Sequence, residues 1–225
     1  MTTYWPLVRV SIDKETKKLI ILRTFKSLLT MISLSFIHHL MVERGFMVCK
    51  QAVLPHEIEA IFQQRYDIFV EEYGFFPTRE ETLESDKYDE FALLFGVWDH
   101  NVLAASCRVI MPNPSLPLPT PQNLMTKPLF IATPRTAEIS RITISKPYRG
   151  FKNAQDIFRL MQSEICKMTS RLIDEWVGAV NPFFLKLLNK AGLPYRPIGP
   201  NQFYIGDDRV PVVLSKNDYT KSHEC

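Results

Sequence analysis

An arginine stands where a helix should be apolar, and this restricts the fold more than any other feature of the chain. Between Pro55 and Glu72 the residues Ile58, Ile61, Phe62, Ile68 and Phe69 recur at the 3.6-residue period of one helix face, and Arg65 falls near the centre of that stripe. A guanidinium turned into a core is costly unless carboxylates meet it there. The fold must therefore bring acids from elsewhere in the sequence to this point. Three lie in or beside apolar segments: Asp86 and Asp89 in Asp-Lys-Tyr-Asp, and Glu138 in Glu-Ile-Ser-Arg. Two more arginines, Arg108 in Ala-Ser-Cys-Arg-Val and Arg141 at the end of that last motif, have the same setting. The expectation is a buried, charge-balanced cluster in which Asp86, Asp89 and Glu138 meet Arg65. Such a cluster reads either as a site or as an ionic scaffold that fixes the charged loop 75–90 to a sheet.

The order of elements is legible from residue 47 onward. A strand over 48–53 leads to Pro55, well placed to open a helix that ends near Gly74. Apolar runs at 91–98 and 102–111 flank Asp99-His100-Asn101, a hairpin turn signal. Seven prolines between 112 and 134 exclude a central strand or a helix interior and predict a long, stiff loop. Then come a strand over 137–145, a turn over 146–150, an amphipathic helix over 154–173 and a buried strand over 175–180. Asn181-Pro182 opens a short helix that Gly192 terminates, and strands over 195–198, 202–205 and 210–214 close the fold, the last two joined at Gly206-Asp207-Asp208. This alternation predicts an α/β (α+β) domain.

At 225 residues and 46% hydrophobic composition, the chain has enough apolar material for one sizeable core. The net charge of +3 is small, and no basic run interleaved with aromatics suggests a nucleic-acid partner. Four cysteines without C-x-x-C spacing predict reduced thiols and a cytoplasmic setting; Cys107, beside Arg108, is the one placed to act as a nucleophile. The five histidines show no ligand spacing, so no metal site is expected. Residues 1–46 form a distinct segment, with a basic start and an apolar helical face between 19 and 40 that Arg23 and Lys26 interrupt. It has no run of about 18 apolar residues that would span a bilayer. Three readings of it stay open: a helix packed on the core, a membrane-surface helix, or a non-native extension upstream of a start at Met41 or Met47. The domain itself is expected over 47–215, followed by a tail over 216–225.

Two segments resemble the GNAT acyltransferase superfamily, whose main motif is a strand, an Arg-Gly-x-Gly/Ala loop and a helix that receives a pyrophosphate at its N-terminus. Ile142 to Ser145, then Tyr148-Arg149-Gly150-Phe151-Lys152, and the helix from Ala154 stand in those places. The strand–Asn–helix unit that follows in the family is similar to residues 177–192. Within the superfamily, the charged residues resemble a narrower group, the acyl-homoserine-lactone synthases and the N-acyl amino acid synthases. Their signature, Arg-x-x-x-Phe, Asp-x-x-Asp, Arg, then Glu-x-x-Arg, corresponds here to Arg65/Phe69, Asp86/Asp89, Arg108 and Glu138/Arg141. The resemblance covers residues 48–199. It implies a mixed, mostly antiparallel sheet flanked by helices, and a phosphate-binding loop at Arg149, Gly150 and Lys152.

The resemblance also implies an activity: N-acyl transfer from an acyl-ACP or acyl-CoA thioester to the amino group of an amino acid or similar small amine, with no tightly bound cofactor. Glu138 would act as base, and Asp86 would orient Arg65 or bind the amine. The alternatives are lactone synthesis from S-adenosylmethionine and a non-catalytic acyl-binding module. Two positions depart from the pattern. Lys152 replaces the last small residue of the loop, which crowds a pyrophosphate cradle and favours a donor on acyl carrier protein. Phe75 or Phe76 stands where lactone synthases carry a Trp. Regular strand geometry would also put Glu138 and Arg141 on opposite faces, so a bulge between them is expected if both enter one site. Membrane contact through residues 19–40 is a further implication left open.

Overall fold

The computed structural model describes residues 47–126 and 130–221; the expectations for residues 1–46 lie outside them. Eight strands among these residues make one sheet: β1 (Val48–Gln51), β2 (Ala92–Asp99), β3 (Val102–Ile110), β4 (Thr136–Ile144), β5 (Glu175–Val180), β6 (Arg196–Pro197), β7 (Gln202–Tyr204) and β8 (Asp207–Ser215). Their order is β1-β2-β3-β4-β5-β8-β6, with β7 also against β8. Every pairing is antiparallel except β4–β5. Helices α1 (Pro55–Arg65), α2 (Pro119–Asn123), α3 (Phe151–Thr169), α4 (Pro182–Lys190) and α5 (Lys216–Thr220) accompany it. The mixed, mostly antiparallel sheet with flanking helices is the expected architecture.

The alternation of β2 explains the two layers. Leu94 belongs to a cluster with Ala52 and Ile61 beneath α1, whereas its neighbour Phe95 packs with Ile157 and Phe158 of α3. Arg108 lies opposite Leu94 in the register and so faces the α1 side, where Arg65 waits.

Three local departures from the expected elements bear on the site. The helix from Pro55 does not run uniformly to Glu72; after Arg65 it widens into a π-helical segment, Tyr66–Glu72, closed by hydrogen bonds such as Tyr73 N to Ile68 O at 3.0 Å. A wider turn re-aims the side chains that a 3.6-residue pitch would place. The proline-rich loop holds a short helix, α2, because Pro119 and Pro121 fall in its first turn, where a missing N–H costs nothing. The tail expected from residue 216 begins as α5, capped by Ser215 Oγ accepting from Asp218 N at 3.1 Å and held by the buried Tyr219.

Cys49 and Cys107 are free thiols.

Strand β4 carries the expected bulge. Arg108 pairs with Ser140 and Ser106 with Thr143, so Arg141 and Ile142 together face Cys107. Arg141 has φ 53°, a left-handed conformation unusual for a side chain of its size. Beyond this point the alternation of β4 is inverted. Glu138 and Ser140 before the bulge share the α1 face with Thr143 after it, while Ile142 and Ile144 turn to the core under α3. Next to the bulge, β4 and β5 pair over three positions, Thr136 to Glu138 against Glu175 to Val177, and then part. Gly178 sits at the fork, where a Cβ would come 2.7 Å from Ile139 O. β5 stays paired with β8 throughout, so the edge of β4 beyond Glu138 opens onto a cleft.

Candidate active site

The charges that the sequence places in apolar surroundings meet on the α1 side of the sheet and form a ring of alternating sign. Arg65 Nη1 donates to Asp89 Oδ1 at 2.9 Å, and Asp89 Oδ2 lies 3.2 Å from Arg108 Nη1. Arg108 Nη1 donates to Asp86 Oδ1 at 2.5 Å, and Asp86 Oδ2 accepts from Arg141 Nη2 at 2.9 Å. Arg141 Nε then donates to Glu84 Oε1 at 3.0 Å, and Glu84 Oε2 returns to Arg65 Nη1 at 3.9 Å. Three arginines and three carboxylates close a neutral circuit. Arg65 and Arg108 are almost fully buried. The last edge is the loosest: Arg65 Nε and Nη2 and Glu84 Oε2 are buried without hydrogen bonds among the described residues.

This ring corrects the expected membership in two respects. Glu84, not Glu138, is the third acid, delivered by the hydrogen bond from its backbone N to Phe62 O at 3.1 Å. Asp86 bridges Arg108 and Arg141 and does not touch Arg65. Burial alone would raise the Asp86 carboxyl, but Arg108 and Arg141 hold it below its ordinary range. Burial pulls Arg65 down and Asp89 opposes it; for Arg108 the carboxylates of Asp89 and Asp86 outweigh burial and hold it up. The acids are committed to arginines, and no group of three or more ligands among the described residues could hold a metal ion.

Glu138, displaced from the ring, becomes a different kind of group. It is 3% exposed, and its Oε2 accepts from Thr120 N at 2.7 Å, a donor supplied by α2. Burial pushes its carboxyl up to about 7, against the opposing pull of the Thr120 N–H and, more weakly, of Arg108 and Arg141. A carboxyl poised near neutrality can take up and give back a proton.

Glu138 and Arg141 both line a cavity of about 550 Å³ in the cleft between β4 and β5. Its aromatic wall is built from the π-helical segment and the turn after it. Phe75 stacks on Tyr73 with ring centres 5.2 Å apart, and Phe69 meets Phe76 edge-on at 6.3 Å. Arg141 lies over Phe76 at 4.9 Å, and Arg209 over Phe75 at 5.4 Å. Tyr88 and Tyr204 complete the polar side, with Tyr204 Oη receiving Asn123 Nδ2 at 3.4 Å.

Of the residues expected to form a phosphate loop, Arg149 lines this cavity. Gly150 has φ 134° with open space where a Cβ would be, and it precedes α3. Lys152 is exposed in the first turn of α3. Arg149 is engaged otherwise: its Nη2 donates to Glu72 Oε2 at 2.8 Å, and its Nε to Ile144 O at 2.8 Å. It therefore ties the end of the π-helical segment to β4. Cys107 is fully buried, which pushes its thiol well up and removes it as a nucleophile.

Glu84, Thr120, Tyr204 and Arg209 were not singled out by sequence. Glu84 sits among Glu80, Glu81 and Asp86, with nothing in composition to tell the buried acid from the solvated ones. Thr120 depends on the unforeseen α2. Tyr204 and Arg209 lie on closing strands whose outer or inner face only the assembled sheet decides.

Residues 64–158 match the family model described as the acetyltransferase (GNAT) domain. No curated protein matches the chain in sequence. Among solved structures, the chain is similar to the AHL synthase LasI at 16% identity and TM-score 0.59, covering 76% of this chain and 90% of that one. It is also similar to a CoA-dependent acyl-homoserine lactone synthase, BjaI, solved with SAM and isopentyl-CoA (18% identity, TM-score 0.57, 79% and 87% coverage). A third likeness is to FeeM, an N-acyl amino acid synthase from uncultured soil microbes (16% identity, TM-score 0.56, 79% and 94% coverage). At such identities these structures share the fold with this chain.

Proposed function

We propose, from the match of residues 64–158 to the acetyltransferase (GNAT) domain, that this chain is an acyltransferase of that type and that it moves a fatty acyl group from a thioester on acyl carrier protein, or on coenzyme A, to the amino group of an amino acid or similar small amine. The observation that carries this reading is Glu138, a buried carboxyl poised near 7 beside a neutral ring, in a cavity large enough for two reactants. The amine nitrogen attacks the thioester carbonyl carbon and forms the C–N bond. Glu138 takes the proton that the nitrogen loses, directly or through water. The carbonyl oxygen becomes an oxyanion, for which a backbone N–H released from the ladder by the bulge at Arg141 would be the donor. Collapse breaks the C–S bond, and the thiolate leaves with the proton that Glu138 returns.

The ring supports this chemistry by holding its parts still. Arg141 is pinned between Glu84 and Asp86, so the bulge and the wall around Phe76 are fixed to α1 through Arg65. The unpaired edge of β4 beyond Glu138 suits the amides of a phosphopantetheine arm, which both kinds of donor carry. The acyl chain continues into apolar space between the sheet and α3, where Ile142 and Phe158 line both the main cavity and a smaller void of about 30 Å³ beyond it. Lys152 favours a carrier-protein donor, because it crowds a pyrophosphate cradle while presenting a cation to an acidic partner. The setting that goes with this donor is cytoplasmic; among the described residues no helix is long and apolar enough to cross a membrane.

A second reading, lactone formation from S-adenosylmethionine, has the fold likeness to LasI and BjaI in its favour. Mass spectrometry of lipid extracts from cells making this chain separates the two. An N-acyl amino acid is the expected product; a lactone, or no acylated product, overturns the proposal.

A further inference from the structure

Among the described residues, one cation lining the cavity, Arg209, has no acid bonded to it. Arg209 stands on β8 two residues after Asp207 and lines the cavity with it. Arg141 is taken by Glu84 and Asp86, and Arg149 by Glu72. The Arg209 guanidinium makes no hydrogen bond or ion pair with any described residue, although it is only partly exposed. Asp207 does not close on it. One Asp207 oxygen accepts from Asn181 Nδ2 at 2.9 Å and the other from the backbone N of Asp208 at 2.8 Å. Burial and the like charge of Arg141 disfavour the Arg209 cation, and the field of Asp207 opposes them.

The guanidinium is nevertheless held in position. It lies 5.4 Å from the centre of the Phe75 ring, and Phe75 is backed by Tyr73 and by Gly206. Gly206 has φ 72°, and a Cβ there would come 2.5 Å from the Phe75 ring, so the turn before β8 presses directly on the aromatic backstop. A partly buried, pre-oriented guanidinium with its donors unused is matched by a planar anion with two acceptor oxygens.

We infer that Arg209 is the anchor for the acceptor's carboxylate, and so the residue by which this cavity selects an α-amino acid over a simple amine. This rests on the acyltransferase reading above. The aromatic wall of Phe69, Tyr73 and Phe75 would then take the amino acid's side chain, while Glu138 serves its nitrogen. A phosphate of the donor is the other anion that a guanidinium could meet, and the coenzyme A arm of the experiment below separates the two.

Isothermal titration of the full chain with N-octanoyl-phenylalanine and N-octanoyl-phenethylamine, two product-like ligands differing only in the carboxylate, tests this without turnover. The wild type should bind the carboxylate ligand about tenfold or more tightly, the scale of one charge-assisted hydrogen-bonded pair. Arg209→Met should abolish that preference, Arg209→Lys should retain part of it, and affinity for coenzyme A should stay unchanged in both. The anchor is overturned if the wild type shows no preference, if it binds neither ligand, if Arg209→Met keeps the preference, or if the loss falls on coenzyme A instead. Acyl transfer is measured separately by thiol release. Its absence with the carboxylate preference intact would overturn the acyltransferase reading and support the anchor.

Discussion

Replacing Glu138 by Gln is expected to move stability and activity in opposite directions. In the unfolded chain this carboxyl titrates near 4.5, whereas burial in the folded protein pushes it up to about 7. Between these values the folded state keeps a proton that the unfolded state has released. The stability associated with that proton is fully present below 4.5 and is lost as pH rises through about 7. At about 1.4 kcal/mol for each tenfold, the displacement corresponds to roughly 3 kcal/mol, an order-of-magnitude figure. Gln cannot ionise, yet its side-chain oxygen can still accept from Thr120 N. E138Q should therefore exceed the wild type in stability by roughly 1 kcal/mol or less at pH 5 and by roughly 3 kcal/mol at pH 8. Urea unfolding at the two pH values gives both differences from midpoints and slopes. In the same samples kcat/KM should fall by about 10²-fold, and the wild-type rise in activity with a midpoint near pH 7 should flatten in E138Q. Parallel stability–pH curves for the two proteins would refute the claim that Glu138 is buried and held near neutrality. A fully active E138Q would refute its role as base.

Breaking the ring should be costly at either side of its loosest edge. Glu84→Ala and Arg65→Met are each expected to destabilise the protein by roughly 3–5 kcal/mol, because each leaves a buried charge unmatched; an unchanged melting temperature in either would contradict the closed circuit. Lys152→Glu should raise KM for an acyl-ACP donor, most visibly at low salt, and leave a small thioester donor nearly unaffected; equal effects on both donors would remove Lys152 from carrier recognition. Residues 47–225 are expected to fold and to transfer acyl groups without residues 1–46, and an insoluble or inactive product of that truncation would assign the segment to the core.

What the sequence made legible, and what it did not, follows from how far each signal reaches. Arg65 declared itself because helical periodicity is local: five apolar neighbours at the right spacing are enough to show a charge on the wrong face. The same locality gave the β2–β3 hairpin, α3 and the buried strand β5. Glu84 stayed hidden because its place is set by the hydrogen bond that its backbone N donates to Phe62 O, while its neighbours in sequence include acids that face solvent. The bulge could be required from chemistry, since Glu138 and Arg141 could not otherwise share a site. Its place at Arg141 could not be foreseen, because that depends on which residue accepts a left-handed backbone. The expected pairing of Glu138 with Arg65 failed for a related reason. Charge balance fixes how many acids a cluster needs, but not which of two nearby carboxylates arrives. Arg209 was the least legible of all, since nothing around it in sequence distinguishes a strand residue facing a cavity from one facing water.

The closed ring also has a consequence for how this site can change over generations. In a circuit of alternating sign every member has two neighbours of the opposite charge, so one neutralising substitution strands two partners at once. Single-letter drift through these six positions is therefore blocked, and viable change must arrive as coupled pairs, one acid together with one base. The pair with the lowest barrier is Glu84 with Arg65, joined across 3.9 Å and already carrying unbonded atoms. Second-site suppressors of a Glu84 lesion are to be sought at Arg65, and a lineage that abandons the ring would leave it by that edge.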